Sequence, residues 1–187
     1  MKNLILVFLL MIAFSCNAQE KKFLNYNRSL SEMIKSNDVA KEDISILIDK
    51  SEYKLTVRTD KVILKEYPVV FGNNPVDDKL MQGDRCTPEG TFTMISKYPH
   101  KKWSKFIWIN YPNKDSWRKH NEAVKNGTIP DDAKIGGEVG IHGVPKGMDY
   151  LIDIGYNWTL GCISMKNKDV DELYPYITKS TVIKIRK

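Results

Sequence analysis

The sequence predicts a mostly β domain, a sandwich or barrel-like sheet carrying a few short helices, and three observations carry that prediction. Apolar residues alternate with polar ones at Ile46 and Ile48 and again at Tyr53, Leu55 and Val57. The runs 62–67, 68–71, 91–96 and 105–111 are rich in β-branched and aromatic residues. Between the early runs stand Asp-Lys, Ser-Glu and Gly-Asn-Asn-Pro segments, which favour turns.

Taken in order, residues 21–37 are polar apart from Leu30, Met33 and Ile34, whose spacing predicts a short leading helix. The strands follow from Ile44 onward. A helix is expected between Asp115 and Gly127, with Asp115 or Ser116 as its cap and Gly127 as the terminating glycine. Residues 139–142 form a short strand entering the loop Gly143-Val144-Pro145-Lys146-Gly147. Asn167 is expected to cap a last helix that buries Val170, Leu173 and Tyr174, before residues 181–185 return as a strand.

The 187 residues suit one domain with a continuous core. Met1-Lys2-Asn3 and the apolar run 4–14 read as a secretion signal, the run being too short to span a bilayer. Ala13-Phe14-Ser15-Cys16 resembles a lipobox that would make Cys16 a lipid-anchored N-terminus, whereas Asn17-Ala18-Gln19 offers an ordinary cleavage site. The chain therefore divides into a signal at 1–18, an N-terminal extension at 19–43 and the folded domain at 44–187. The formal charge of +6 suits an anionic surface, while export argues against nucleic acid. Only Cys86 and Cys162 lie in the mature domain, too few for a disulfide framework. Neither a Cys-x-x-Cys nor a His-x-x-x-His pair is present, so no metal or other cofactor is expected.

The chemistry concentrates in Gly140-Ile141-His142-Gly143 and in Trp158-Thr159-Leu160-Gly161-Cys162-Ile163-Ser164. A free thiol ionises near ~8.5, so a nucleophilic cysteine needs a base beside it. His142 ends an apolar strand, whereas His100 and His120 sit in polar stretches. Gly161 permits a tight turn that exposes its own N–H and that of Cys162 as an oxyanion hole, each donor being worth ~3 kcal/mol. A backbone carbonyl near Gly143 is available to orient the imidazole. Cys86 is either a switch disulfide to Cys162 or an isolated small side chain. Among the tryptophans Trp103, Trp108 and Trp158, only Trp158 is close enough in sequence to the nucleophile to be assigned to the site.

These residues resemble the L,D-transpeptidase (YkuD) catalytic domain. His142, sixteen intervening residues, then Thr159-x-Gly161-Cys162-Ile163 match its catalytic pattern, and Arg85-Cys86-Thr87-Pro88-Glu89-Gly90-Thr91-Phe92 resembles its Thr-Pro-x-Gly-x-Phe segment. The insert with Tyr111-Pro112-Asn113 and the helix after it is most similar to the YafK-type branch. The resemblance implies that Cys162 attacks a stem tetrapeptide of peptidoglycan, releases D-Ala and holds the acyl group as a thioester. It implies His142 as base and Thr159 as a residue lining the site; Gly143 and Gly161 are expected as backbone elements of the catalytic site, and Trp158, Ser164 and Arg85 as substrate contacts. It further implies a monomer in the periplasm, soluble or anchored to the outer membrane. Two departures stand out, Leu160 where the family has a second histidine and Ser164 where it has an arginine. They leave three readings open: a transpeptidase, an amidase or carboxypeptidase cutting the same type of bond, and a non-catalytic wall-binding module.

Overall fold

The computed structural model describes residues 23–187; the expected signal, the expected lipobox at Cys16 and the start of the extension lie outside the described residues. Eight strands form one mixed sheet: β1 (Ser45–Asp49), β2 (Lys54–Arg58), β3 (Ile63–Pro68), β4 (Gly90–His100), β5 (Ser104–Ile109), β6 (Gly140–His142), β7 (Ile163–Ser164) and β8 (Val182–Arg186). Their order is β3-β2-β1-β8-β4-β5-β6-β7. Strands β1 to β3 form an antiparallel meander, while β1 with β8 and β6 with β7 are parallel pairs.

The eleven-residue β4 joins the two halves of this sheet. Residues 90–93 pair with β8, and Met94 to His100 pair with β5 across a register shift between Met94 and Ser96. A bulge of this kind bends a strand and increases its twist. The two ends of the strand order approach each other: Val70, just after β3, exchanges hydrogen bonds with Ser164 of β7 at 2.9 and 2.8 Å. The sheet is thereby closed in the barrel-like sense the sequence predicts.

Alternate residues of β1, β2, β4, β5 and β8 supply one core, with Ile46, Ile48, Leu55, Val57, Phe92, Ile107, Ile183 and Ile185 all buried. Helix α1 (Leu30–Ser36) covers it with Leu30 and Met33, as its spacing predicts, so this part of the extension packs on the domain. Helix α2 (Lys114–Lys125) is capped by Asn113, whose Oδ1 accepts the Ser116 N–H, rather than by Asp115 or Ser116. Two further helices, α3 (Tyr150–Asp153) and α4 (Asn167–Leu173), flank β7. Asn167 does not cap α4 with its side chain; its Oδ1 accepts the Val144 N–H and so braces the loop after β6. No helix among the described residues is long and apolar enough to cross a membrane.

Glu172 of α4 knits helix, strand and extension together. It accepts from Leu30 N–H at 2.6 Å, from the Lys65 ammonium at 2.8 Å and from Tyr67 Oη at 2.7 Å. Burial raises the Glu172 carboxyl, but Lys65, the Leu30 amide and Tyr67 together hold it below its ordinary value. Its contribution to stability is therefore present above the ordinary glutamate range and lost as pH falls through the depressed value. Glu172→Gln leaves the buried Lys65 ammonium without its only carboxylate partner among the described residues and is expected to cost on the order of 3 kcal/mol at neutral pH. Urea unfolding measured against pH checks this: the gap between wild type and variant should close in acid, and a gap independent of pH would contradict the assignment.

Candidate active site

The site is built where β4, β5 and β6 end near the turn preceding β7. His142 is the last residue of β6, paired with Phe106 on one side and Ser164 on the other, and is 1% exposed. Its Nδ1 lies 2.6 Å from the carbonyl oxygen of Gly143. A carbonyl can only accept, so Nδ1 carries the proton and Nε2 keeps its lone pair. The same oxygen accepts the Ser164 hydroxyl at 3.3 Å. Gly143 has no room for a side chain, because a Cβ would stand 2.1 Å from Asn167 Oδ1 and 2.6 Å from the Trp103 carbonyl.

Aromatic rings fix the plane of the imidazole. Trp103 stacks on His142 at 4.4 Å between centroids, Phe106 lies nearly parallel at 5.8 Å, and Trp158 meets it edge-on at 5.6 Å. His100 stacks on the far face of the array, 4.3 Å from Trp103. Desolvation within this enclosure, only partly offset by the Gly143 hydrogen bond, lowers the imidazole to about 4, so His142 is a neutral acceptor at physiological pH.

Cys162 follows a turn held by Thr159. Thr159 Oγ1 accepts the Gly161 N–H at 3.1 Å and donates to the Cys162 carbonyl at 2.7 Å. Gly161 has φ of +140°, and a Cβ there would lie 2.7 Å from the carbonyl of Cys86, so only glycine fits. The expected pair of exposed amides is thereby corrected. The Gly161 N–H is spent on Thr159, while the Cys162 N–H has no acceptor among the described residues. The Cys162 thiol donates to the Glu138 carbonyl at 3.5 Å. Cys162 is partly covered, and desolvation pushes its thiol up to about 11 against opposing help from the Gly140 backbone and Lys79. The resting pair is thus a neutral thiol and a neutral imidazole.

Both residues line one cavity of about 1080 Å³, together with Arg85, Trp158, Thr159 and Gly161. Two residues assigned to the site from sequence lie outside its lining. Gly143 acts through its carbonyl, and Ser164 is fully buried in β7 with its hydroxyl on that carbonyl, which corrects its expected contact with substrate. The lining also includes Lys79, His100, Trp103, Phe106, Trp108 and Glu138, none of which the sequence singled out for the site. The indole N–H groups of Trp108 and Trp158 have no acceptor among the described residues. Cys86 is buried outside the lining, a free thiol directed at the Asp84 carbonyl, and desolvation raises it to about 11.

Behind Cys162 the chain packs backbone on backbone. A Cβ on Gly72 would fall 2.0 Å from the Arg85 carbonyl oxygen and 3.0 Å from Gly161 N. Arg85 itself takes φ of +60°, a costly conformation for a residue with a side chain, and no described residue pairs with its guanidinium. The segment 72–89 that carries these residues is wired from several sides. Lys50 reaches Glu89 at 2.7 Å, Lys119 of α2 reaches Asp78 at 2.6 Å, and the Leu80 carbonyl accepts from His120 Nδ1 at 2.7 Å.

Because the thiol starts neutral, alkylation of Cys162 by iodoacetamide in the free protein is expected to accelerate throughout the neutral range and to level only toward about 11. A rate already at its plateau by roughly pH 6 would mean a preformed thiolate beside a charged imidazole.

The profile of the family described as YkuD, L,D-transpeptidase catalytic domain, matches residues 43–185. Among curated protein sequences none matches the chain. Bd1075 of Bdellovibrio bacteriovorus is similar over 77% of this chain and 48% of its own, at 24% identity and a TM-score of 0.52. The helical cell shape determining protein Pgp2 from Campylobacter jejuni aligns over 84% of this chain and 54% of its own, at 21% identity and a TM-score of 0.57. L,D-transpeptidase 3 from Mycobacterium tuberculosis, in complex with a faropenem-derived adduct, aligns over 78% of this chain and 60% of its own, at 13% identity and a TM-score of 0.52. At these identities the likeness is one of fold, and the chain spans about half the length of the first two proteins.

Proposed function

Since the chain belongs to the L,D-transpeptidase catalytic-domain family, we propose that it is an exported cysteine acyltransferase acting on the stem peptides of peptidoglycan. One observation carries the reading: Nδ1 of His142 is committed to the Gly143 carbonyl, which leaves Nε2 basic in the cavity that Cys162 also lines.

In this reading a stem tetrapeptide enters the cavity and displaces water from around Cys162. Its carbonyl carbon is attacked by Sγ as the thiol proton passes to His142 Nε2. With a thiol near 11 and an imidazole near 4, a separated ion pair is disfavoured before substrate arrives, so proton transfer accompanies carbon–sulfur bond formation. Collapse of the tetrahedral intermediate breaks the amide, and the imidazolium returns the proton to the departing D-Ala amine. The thioester is then resolved by an incoming amine, deprotonated by the same His142.

The surroundings of Cys162 suit such a substrate. Arg85 and the Cys162 amide are donors, matched to a carboxylate terminus and a peptide carbonyl. Arg85 and Trp158 are proposed as substrate contacts, and Thr159 shapes the turn on which the nucleophile stands. Leu160, 75% exposed beside the nucleophile, presents an apolar group where the family has a histidine. The Cys16 lipobox supports placement at the outer membrane, facing the wall.

Incubation of the purified protein with disaccharide tetrapeptide, followed by mass spectrometry, tests the reading. Loss of D-Ala with a cross-linked dimer or an exchanged terminal amino acid is the expected result, and Cys162→Ala should abolish every product. Loss of D-Ala to water alone would assign a hydrolase instead. Turnover retained in Cys162→Ala would overturn the mechanism, and binding without turnover in the wild type would leave a wall-binding module.

A further inference from the structure

The acyl transfer just described leaves the Lys79 ammonium of the cavity without a role. The Lys79 side chain is 4% exposed, and its Nζ donates to Asp84 Oδ1 at 2.7 Å and to the Met81 carbonyl at 3.0 Å. An ammonium has three donors, and the described residues take two. Nζ lies 3.8 Å from where a Cβ on Gly161 would stand, so it faces the turn immediately before the nucleophile.

Asp84 is fixed in turn by the N–H groups of Leu80, Met81 and Cys86 at 2.8, 2.9 and 3.0 Å. Burial alone would raise its carboxyl, but Lys79 and the Met81 and Cys86 amides hold it below the usual carboxylate range. The pair therefore stays ionic at neutral pH. Enclosing an ion pair is costly, and a loop that needed only rigidity would be served by neutral hydrogen-bonding groups.

The turn is also short of donors. An oxyanion is stabilised by preorganised donors aimed at where its charge develops. Here the Gly161 N–H is occupied by Thr159 Oγ1, and the Cys162 N–H is the amide left over.

We propose that Lys79 completes the oxyanion hole, its third N–H joining the Cys162 amide around the carbonyl oxygen of the substrate; this rests on the acyl transfer assigned to Cys162. As the carbon–sulfur bond forms and the thiol proton moves to His142 Nε2, the carbonyl π pair passes to oxygen, and Nζ meets that negative charge. On collapse the pair re-forms the carbonyl, the amide C–N bond breaks, and His142 protonates the leaving amine. Lys79 is a catalytic residue in this scheme and Asp84 a positioning residue that keeps the ammonium charged and aimed.

The test compares wild type, Cys162→Ala, Lys79→Gln and Lys79→Arg by steady-state release of D-Ala from disaccharide tetrapeptide. Iodoacetamide alkylation of Cys162 and thermal melting are measured in parallel. Lys79→Gln should lower kcat by about 10²–10³-fold with KM nearly unchanged, and Lys79→Arg should fall between the two. Alkylation, which builds no oxyanion, should slow only by the modest factor that loss of the Lys79 charge beside the thiol entails, far less than kcat. A kcat near that of wild type, a rise confined to KM, or an alkylation rate falling in step with kcat would each overturn the assignment. If Lys79→Gln fails to fold, Lys79→Arg decides: a lower kcat at constant KM supports the proposal and an unchanged kcat rejects it. A wild type that forms no product would defeat the acyl-transfer reading itself. Turnover that depends on Cys162 but not on Lys79 would defeat this inference alone.

Discussion

The site depends on one hydrogen bond, from His142 Nδ1 to the carbonyl of the next residue. Catalytic imidazoles are commonly oriented by a carboxylate, which also favours the charged ring; a neutral carbonyl fixes the tautomer with much less pull toward the imidazolium. Combined with burial among Trp103, Phe106 and Trp158, this gives a base that stays unprotonated over the physiological range. Much of the local sequence serves that bond. Ser164 shares the acceptor, Asn167 holds the adjacent Val144 amide, and Gly143 leaves space for both Asn167 and the Trp103 carbonyl.

The second half of the site is held by charge from outside the sheet. Segment 72–89 has little regular structure of its own, yet Lys50, Lys79 and Lys119 reach Glu89, Asp84 and Asp78 within it or from its flanks. Each pair is at least partly withdrawn from water, where such contacts are screened less than at an open surface. The strained Arg85 and the backbone contacts among Gly72, Arg85 and Gly161 persist because this wiring over-determines the loop.

What the sequence made legible follows from which signals are local. Alternation from Ile46 to Val57 and the spacing of Leu30 and Met33 reveal β1, β2 and α1, because burial of one face writes itself into neighbouring positions. The two-residue β7 and four-residue α3 are too short to carry a period. Cys162 and His142 stood out by residue type and glycine context, and they do line one cavity. Trp103 and Lys79 did not, since one sits in a basic stretch and the other in an acidic turn, and only the folding of β4, β5 and segment 72–89 brings them to the cavity that Cys162 lines. Ser164 and Asn167 were misassigned for a related reason: a polar side chain near a motif does not announce whether it faces ligand or a neighbouring carbonyl.

The margins of the sheet bear on how the protein meets other extended chains. An extended peptide can add itself to any unpaired strand edge through main-chain hydrogen bonds alone, with little regard for its sequence. Here β7 is covered by Val70, and along β3 the Glu66 N–H donates to the Leu24 carbonyl while Asn25 reaches the Leu64 carbonyl. Both outer margins are thus occupied by the chain itself. Margins covered in this way leave little unpaired backbone along β3 and β7 for another extended chain to join.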